Sequence, residues 1–372
     1  MLRRSFLGLG AGCCMAGHAC IPKAEPARGA VAVAGGEVAF KRGLNLGNAL
    51  DAPKEGEWNV TLNERHFRGV AAAKLDHVRL PVRFNAHALS EPPYTLDPRF
   101  MARVDWALEQ AARHALGVIL DFHHYNELIE NLAAHTERFV EIWRQVAERY
   151  REYPESVAFE LLNEPRSPLT PTQVNELYAR VIPVVRASNP TRLLIADSFD
   201  WASAAALHQL VLAEDPRIMA SFHMYQPALF THQGANWAGP EYATTGIVFP
   251  GPPAVPVKPE PAAESLEWVR KWFEGYNTLP SDENPSGYRA VLHQFEVAAA
   301  YTKSTGRSVY MGEFGAINKA DAASRVRFLR LVRTEAERCG FGWAYWDDGG
   351  SFKGLDTATG TWTPEVWRGL FE

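Results

Sequence analysis

From Phe40 to its end the chain repeats one pattern: a short apolar run, a polar loop, then a longer stretch with apolar residues three and four apart. The runs are Arg42–Leu46, His77–Val82, Gly117–Phe122, Val157–Leu162, Arg192–Ala196, Ile218–Phe222, Ser308–Gly312 and Phe341–Trp346. Their length and their branched and aromatic residues suit strands buried on both faces. Between them Ala134–Arg151, Thr172–Ser188, Gly287–Thr305 and Ala320–Cys339 carry helical spacing. Strand and helix alternating eight times within 372 residues predicts an α/β fold, a closed (β/α)8 TIM barrel in one domain. The rival is an open doubly wound sheet, but no Gly-x-Gly-x-x-Gly follows the first run.

Ahead of this pattern, Met1–Ala16 has a positive start, a short apolar middle and small residues after it. That composition predicts an export signal over residues 1–19, too short to span a membrane as a mature helix. Arg3-Arg4-Ser5-Phe6-Leu7 resembles a twin-arginine signal. Residues 20–37 read as a Pro-, Ala- and Gly-rich linker, and 38–372 as the catalytic domain. The expected destination is the periplasm or the medium. Cys20 stands where a lipid could attach, but Gly17-His18-Ala19 lacks the usual aliphatic position. Three of the four cysteines lie in or beside the leader, so only Cys339 belongs to the body and no internal disulfide is expected.

One connection is oversized. About 60 residues separate the sixth run from the helix near Gly287, including the proline-rich 246–261, and a long loop in a compact domain is usually functional or disordered. Leaving the carboxyl end of a strand, the 234–285 segment is expected either to wall a cleft or to be a surface insertion. No appended binding module is expected after the last helix.

A barrel gathers the carboxyl ends of its strands on one face, where its chemistry resides. Standing there are Asn45 and Asn48, Arg79, His123 and His124, Asn163 and Glu164, Asp200 and Trp201, His223 and Tyr225, Glu313, and Trp346 and Asp347. Val157 to Pro165 is the sharpest of these: an apolar strand halted by a proline, which leaves Asn163 and Glu164 at its mouth. Glutamates on the fourth and seventh strands face each other across a small barrel, as a carboxylate pair must across a glycosidic bond. Glu164 would then need a raised pKa to remain a proton donor, while Glu313 should stay ionised beside Arg79 and Tyr225. Asn163 would suit the hydroxyl next to the reacting carbon.

Other chemistries fit less well. Asp121–Glu127 with His223 offers nitrogen and oxygen ligands, yet no His-Glu-x-x-His helix accompanies them, and no metal or cofactor is expected. The chain lacks a Gly-x-Ser-x-Gly elbow for acyl transfer. With 38 Lys and Arg against 43 Asp and Glu, the net charge of −5 argues against a nucleic acid partner, whereas 11 Trp offer flat faces for sugar rings.

Gly43–Asn48, His77–Pro81, Asp121–His124, Leu162–Pro165, Phe222–Tyr225, Gly312–Gly315 and Trp343–Trp346 together resemble glycoside hydrolase family 5, the cellulase-type retaining barrels. The resemblance implies Glu164 as acid/base and Glu313 as nucleophile, surrounded by Arg79, His123, Asn163, His223, Tyr225 and Trp346. His124 and Trp201, with Trp237 and Asp347, would shape the subsites. It further implies a metal-independent retaining endo-β-1,4-glucanase acting on a β-linked polysaccharide or oligosaccharide; a monomer is the expected state, although the sequence itself is silent on it. Mannanases, xyloglucanases and mixed-linkage glucanases share the same set. A non-catalytic glucan-binding barrel is the reading from another class.

Overall fold

The structure, a computed structural model, describes residues 40–347 and 349–372; the expected leader and linker lie outside the described residues. Eight strands, β1 Arg42–Asn45, β2 His77–Val82, β3 Gly117–Phe122, β4 Val157–Glu160, β5 Leu194–Asp197, β6 Ile218–Met224, β7 Val309–Phe314 and β8 Gly342–Tyr345, pair in sequence order. Every pairing is parallel, and β8 returns to β1 with Arg42 opposite Trp343, which closes the barrel. Each expected run overlaps its strand, with ends moved by no more than two residues; β5, β6 and β7 run one or two residues past the expected ends. β4 stops at Glu160, so Asn163 and Glu164 stand on the loop beyond it, whereas β7 runs on through Glu313.

Longer helices pack outside: α1 Glu64–Ala72, α2 Pro98–Arg113, α3 Leu132–Arg149, α4 Pro171–Arg186, α5 Glu267–Thr278, α6 Tyr288–Thr305, α7 Ala322–Arg338 and α8 Pro364–Phe371. Asn63, Asp97, Thr170 and Asp321 cap the starts of α1, α2, α4 and α7 by accepting from backbone N–H groups of the first turn. Strict alternation fails between β5 and β6, where a short turn at Phe199–Ala202 and a 3-10 turn at Ala204–Gln209 replace a full helix. Asp200 and Trp201 there take left-handed backbone, both with φ of 60°, which a continuing helix cannot accommodate.

The 234–285 segment is not an unstructured loop, because it contains α5, whose Val269, Phe273 and Tyr276 are buried. Prolines around it masked that helical spacing. Most of the segment braces the barrel flank. Phe249 packs on Phe230, Phe328 and Tyr288, its N–H bonds Ser324 Oγ, and Arg327 Nε bonds its carbonyl. Only its first part reaches the cleft side, where Ala235, Ala238 and Tyr242 pack with Tyr225 and Trp346.

Inside the barrel Ile119, Ala158, Ile195, Tyr310 and Ala344 join Phe40 in a buried apolar cluster. The two-residue period of a strand puts Asp121, Glu160 and Asp197 on the same face, one step nearer the carboxyl ends. All three acids are fully buried. The apolar cluster thus carries a layer of charge.

Candidate active site

Arg79 organises that layer. Fully buried on β2, it uses all five N–H donors: Nε and Nη2 on Glu160 at 2.8 and 2.6 Å, Nη1 on Asn45 at 2.9 Å and Glu313 at 2.7 Å, and Nη2 on Asn163 at 2.7 Å. Asp121 Oδ2 is also 3.0 Å from Nη2. Because the Asn163 oxygen accepts from Arg79, its amide NH2 is left as a donor for a ligand. The arginine therefore aligns residues from β1, β3, β4 and β7 at once.

Glu164 has left-handed backbone, φ 47°, an uncommon conformation for a side-chain-bearing residue, and its N–H donates to Asp197 Oδ2 at 3.0 Å. Its Oε1 lies 2.8 Å from His223 Nδ1, and the same nitrogen is 3.6 Å from Glu313 Oε2. Tyr225 OH donates to Glu313 Oε2 at 2.9 Å, so each oxygen of Glu313 has a donor. One oxygen from each glutamate and one His223 nitrogen all lie within 4.8 Å of one another.

The charges sort themselves around His223. Burial alone would lower its pKa, but Glu313, Asp197 and Glu164 raise it to about 9. Burial would likewise raise the Glu164 carboxyl, yet the His223 hydrogen bond and charge, with Arg166 and Arg79, hold it below its ordinary value. Burial raises Glu313 against the pull of His223 and Arg79. This corrects the expectation of a raised Glu164 beside a low Glu313: in the free protein the imidazole holds the proton next to Glu164. Burial keeps His123 far below its ordinary value and His124 at about 4, so both are neutral.

The sequence matches the model of the cellulase family, glycosyl hydrolase family 5, over residues 53–351. The chain belongs to glycosyl hydrolase family 5. Endoglucanase H of Acetivibrio thermocellus is 30% identical over 336 residues, covering 88% of this chain, which spans only 32% of that longer protein. A hyperthermophilic endo-β-1,4-glucanase solved with substrate superposes with a TM-score of 0.76 at 34% identity, covering 90% of this chain and 97% of its own. Thermotoga maritima Cel5A, solved with cellobiose and with mannotriose, reaches 0.76 at 33% identity, covering 89% and 97%.

This family-5 barrel brings Arg79, Asn163, Glu164, His223, Tyr225 and Glu313 into one bonded group, as their strand positions predict. Beside it His123 gives Nδ1 to Asp121 at 2.5 Å and stacks on Trp346, with centroids 5.7 Å apart and planes 7° apart. Trp346 can lie there because Gly47 has no side chain, since a Cβ at Gly47 would meet its ring at 2.7 Å. Trp201 is 55% exposed and stacked by Arg166, whose Cζ is 4.1 Å from the ring centre and whose Nη1 donates to the Glu164 carbonyl. His124 meets Trp58 edge-on, and its Nε2 is 3.8 Å from Asp51 Oδ2. Trp237 lies beside His232, and Asp347 accepts from Asn48.

Sequence reasoning passed over Glu160, Asp197, Asp51, Trp58 and Arg166. Glu160 and Asp197 did carry a signal, an acid two residues after a buried apolar residue in a strand. Among the described residues three sets could offer a metal one atom each: Asp51–His123–His124, Glu160–Asp197–His223 and Glu164–His223–Glu313. In the last, Glu164 and Glu313 already bond to His223, Arg79 and Tyr225.

Proposed function

We propose that this chain is an exported, retaining endo-β-1,4-glucanase in which Glu313 is the nucleophile and Glu164 the acid/base. The observation that carries the reading is the approach of the two glutamates to within 4.8 Å. Retaining enzymes hold their carboxyl groups roughly 5–5.5 Å apart, while inverting ones need roughly 6.5–9.5 Å to admit a water. Glu313, with both oxygens aligned by Arg79 and Tyr225, attacks the anomeric carbon. The His223 proton crosses their 2.8 Å bond to Glu164, which passes it to the leaving oxygen and leaves the imidazole neutral. Left as a carboxylate, Glu164 then takes a proton from water, which releases the glycosyl group from Glu313 with net retention. Asn163 donates to the hydroxyl beside the reacting carbon, and His123, His124, Trp201 and Trp346 line the sugar subsites. No step calls for a metal or cofactor, and the barrel works as a monomer.

The leader at 1–19 supports export, and no described helix is long and apolar enough to cross a membrane. β-1,4-Glucan is the favoured substrate because the relatives are endoglucanases. Mannan is the second reading, motivated by the mannotriose complex of the similar Thermotoga maritima Cel5A. A panel of cellulose derivative, mixed-linkage glucan, xyloglucan, mannan and xylan, read by reducing-sugar release, ranks these. NMR of the first-formed product gives the stereochemistry. Inverted product, or undiminished turnover by Glu313→Ala, defeats the mechanism; binding without turnover by the wild type would leave a glucan-binding module.

A further inference from the structure

Asp197 ends β5, fully buried beneath Glu164, and the mechanism above gives it no part. It nevertheless touches that mechanism twice. Its Oδ2 accepts the N–H of Glu164, whose left-handed backbone immediately precedes Pro165, and the same oxygen lies 3.6 Å from His223 Nε2. The opposite ring nitrogen, Nδ1, is the one bonded to Glu164. Among the described residues His223 Nε2 has no hydrogen-bond partner, and neither has Asp197 Oδ1. The imidazole thus stands between two carboxylates, one facing the cleft and one sealed behind it.

We propose that Asp197 is a positioning residue for the acid/base: its carboxylate anchors the Glu164 backbone and supplies the buried negative charge that keeps a proton on His223 for delivery to Glu164. The inference rests on the assignment of Glu164 as acid/base. The His223 proton passes through Glu164 to the leaving oxygen; in the second step the proton that Glu164 takes from water returns to the ring, and the charge of Asp197 sets how readily the ring regains it. The charged and titratable groups facing Asp197 are Glu160 from β4, His223 from β6, Arg79 from β2, Asp121 from β3 and Tyr310 from β7, while Tyr178 of α4 donates to its backbone carbonyl. Glu160 and Arg79 bond each other in a fork, leaving His223 as the cation next to Asp197. Burial, with Glu160, lifts Asp197 to about 7, so its charge is itself sensitive to pH in the neutral range.

Asp197→Asn tests this, because the amide keeps the size and an oxygen for the Glu164 N–H while removing the charge. On a soluble cellulose derivative the alkaline limb of kcat/KM is expected to move down by about one pH unit, equivalent to a tenfold loss on that limb. On dinitrophenyl β-cellobioside, whose leaving group needs no proton, kcat/KM should change less than about threefold. Asp197→Ala, which also removes the anchor, should lower both substrates further. An unshifted limb, or equal losses on the two substrates with Asn, overturns the proposal and leaves Asp197 a structural residue. If either variant fails to fold, histidine nitrogen NMR of the wild type decides. One imidazolium must persist above pH 8, and its absence overturns the proposal. A wild type inactive on both substrates would instead refute the enzymatic reading itself.

Discussion

Replacing Arg79 with methionine keeps an unbranched apolar stem and removes the cation on which three acids converge. Glu160, Glu313 and Asp121 lie 2.6, 2.7 and 3.0 Å from its nitrogens, and all are nearly or fully buried. Summing five charge-assisted hydrogen bonds would overshoot, since they share one donor group and their losses are not additive. Removing one partner of a buried pair costs roughly 3–5 kcal/mol, and with three acids orphaned that range is a floor at neutral pH. At roughly 2 °C per kcal/mol for a domain of this size, the melting temperature should fall by about 6–10 °C. The sign of the pH dependence separates charge from packing. Carboxyls left without a cation bind protons more readily in the native chain than in the unfolded one, so the variant's stability falls as pH rises. Arg79 itself, held well above its ordinary value by those acids against burial, stays charged throughout. Denaturant melts of both proteins at pH 4, 6 and 8 should therefore show a gap that widens with pH. A gap equal at pH 4 and pH 8, or below about 1 kcal/mol at neutral pH, refutes the charge argument.

Tyr225→Phe removes one of the two donors to Glu313, a bond to a charged group worth roughly 1.5–3 kcal/mol; kcat/KM should fall about 10- to 100-fold, and an unchanged value would deny Tyr225 that role. Trp201→Ala should raise KM on polymeric substrate several-fold while leaving stability within about 0.5 kcal/mol, because the ring is largely exposed. An unaltered KM would remove Trp201 from the subsites. Asp51 has a native pKa lifted by burial from 3.8 to about 7, so it binds protons better folded than unfolded and costs stability as pH rises across that interval. Asp51→Asn should gain about 1–3 kcal/mol over the wild type at pH 8 and nothing at pH 4 in denaturant melts, and a gain at both would contradict the titration.

The sequence by itself determined the barrel and the residues at its mouth. Eight apolar runs alternating with helical spacing leave a chain few ways to bury its strands, and a closed parallel barrel places every strand's carboxyl end on one face. Arg79, Asn163, Glu164, His223, Tyr225 and Glu313 could thus be gathered without coordinates, since strand position alone brings them together. Tertiary structure decided what pattern cannot encode. Which group holds the proton depends on His223 lying 2.8 Å from Glu164, which reversed the expected order of the two glutamates. Glu160 and Asp197 read as ordinary strand ends until the inward face of the barrel stacked them beneath Glu164. Trp58 and Asp51 joined His124 only through a loop fold that no periodicity describes, and the proline-rich segment braced the flank because Phe249 found Phe230 after β6, Tyr288 on α6 and Phe328 on α7. Local periodicity fixes which residues form an element and which end they occupy. Distances of a few tenths of an ångström, on which charge and proton location depend, arise only when distant elements pack.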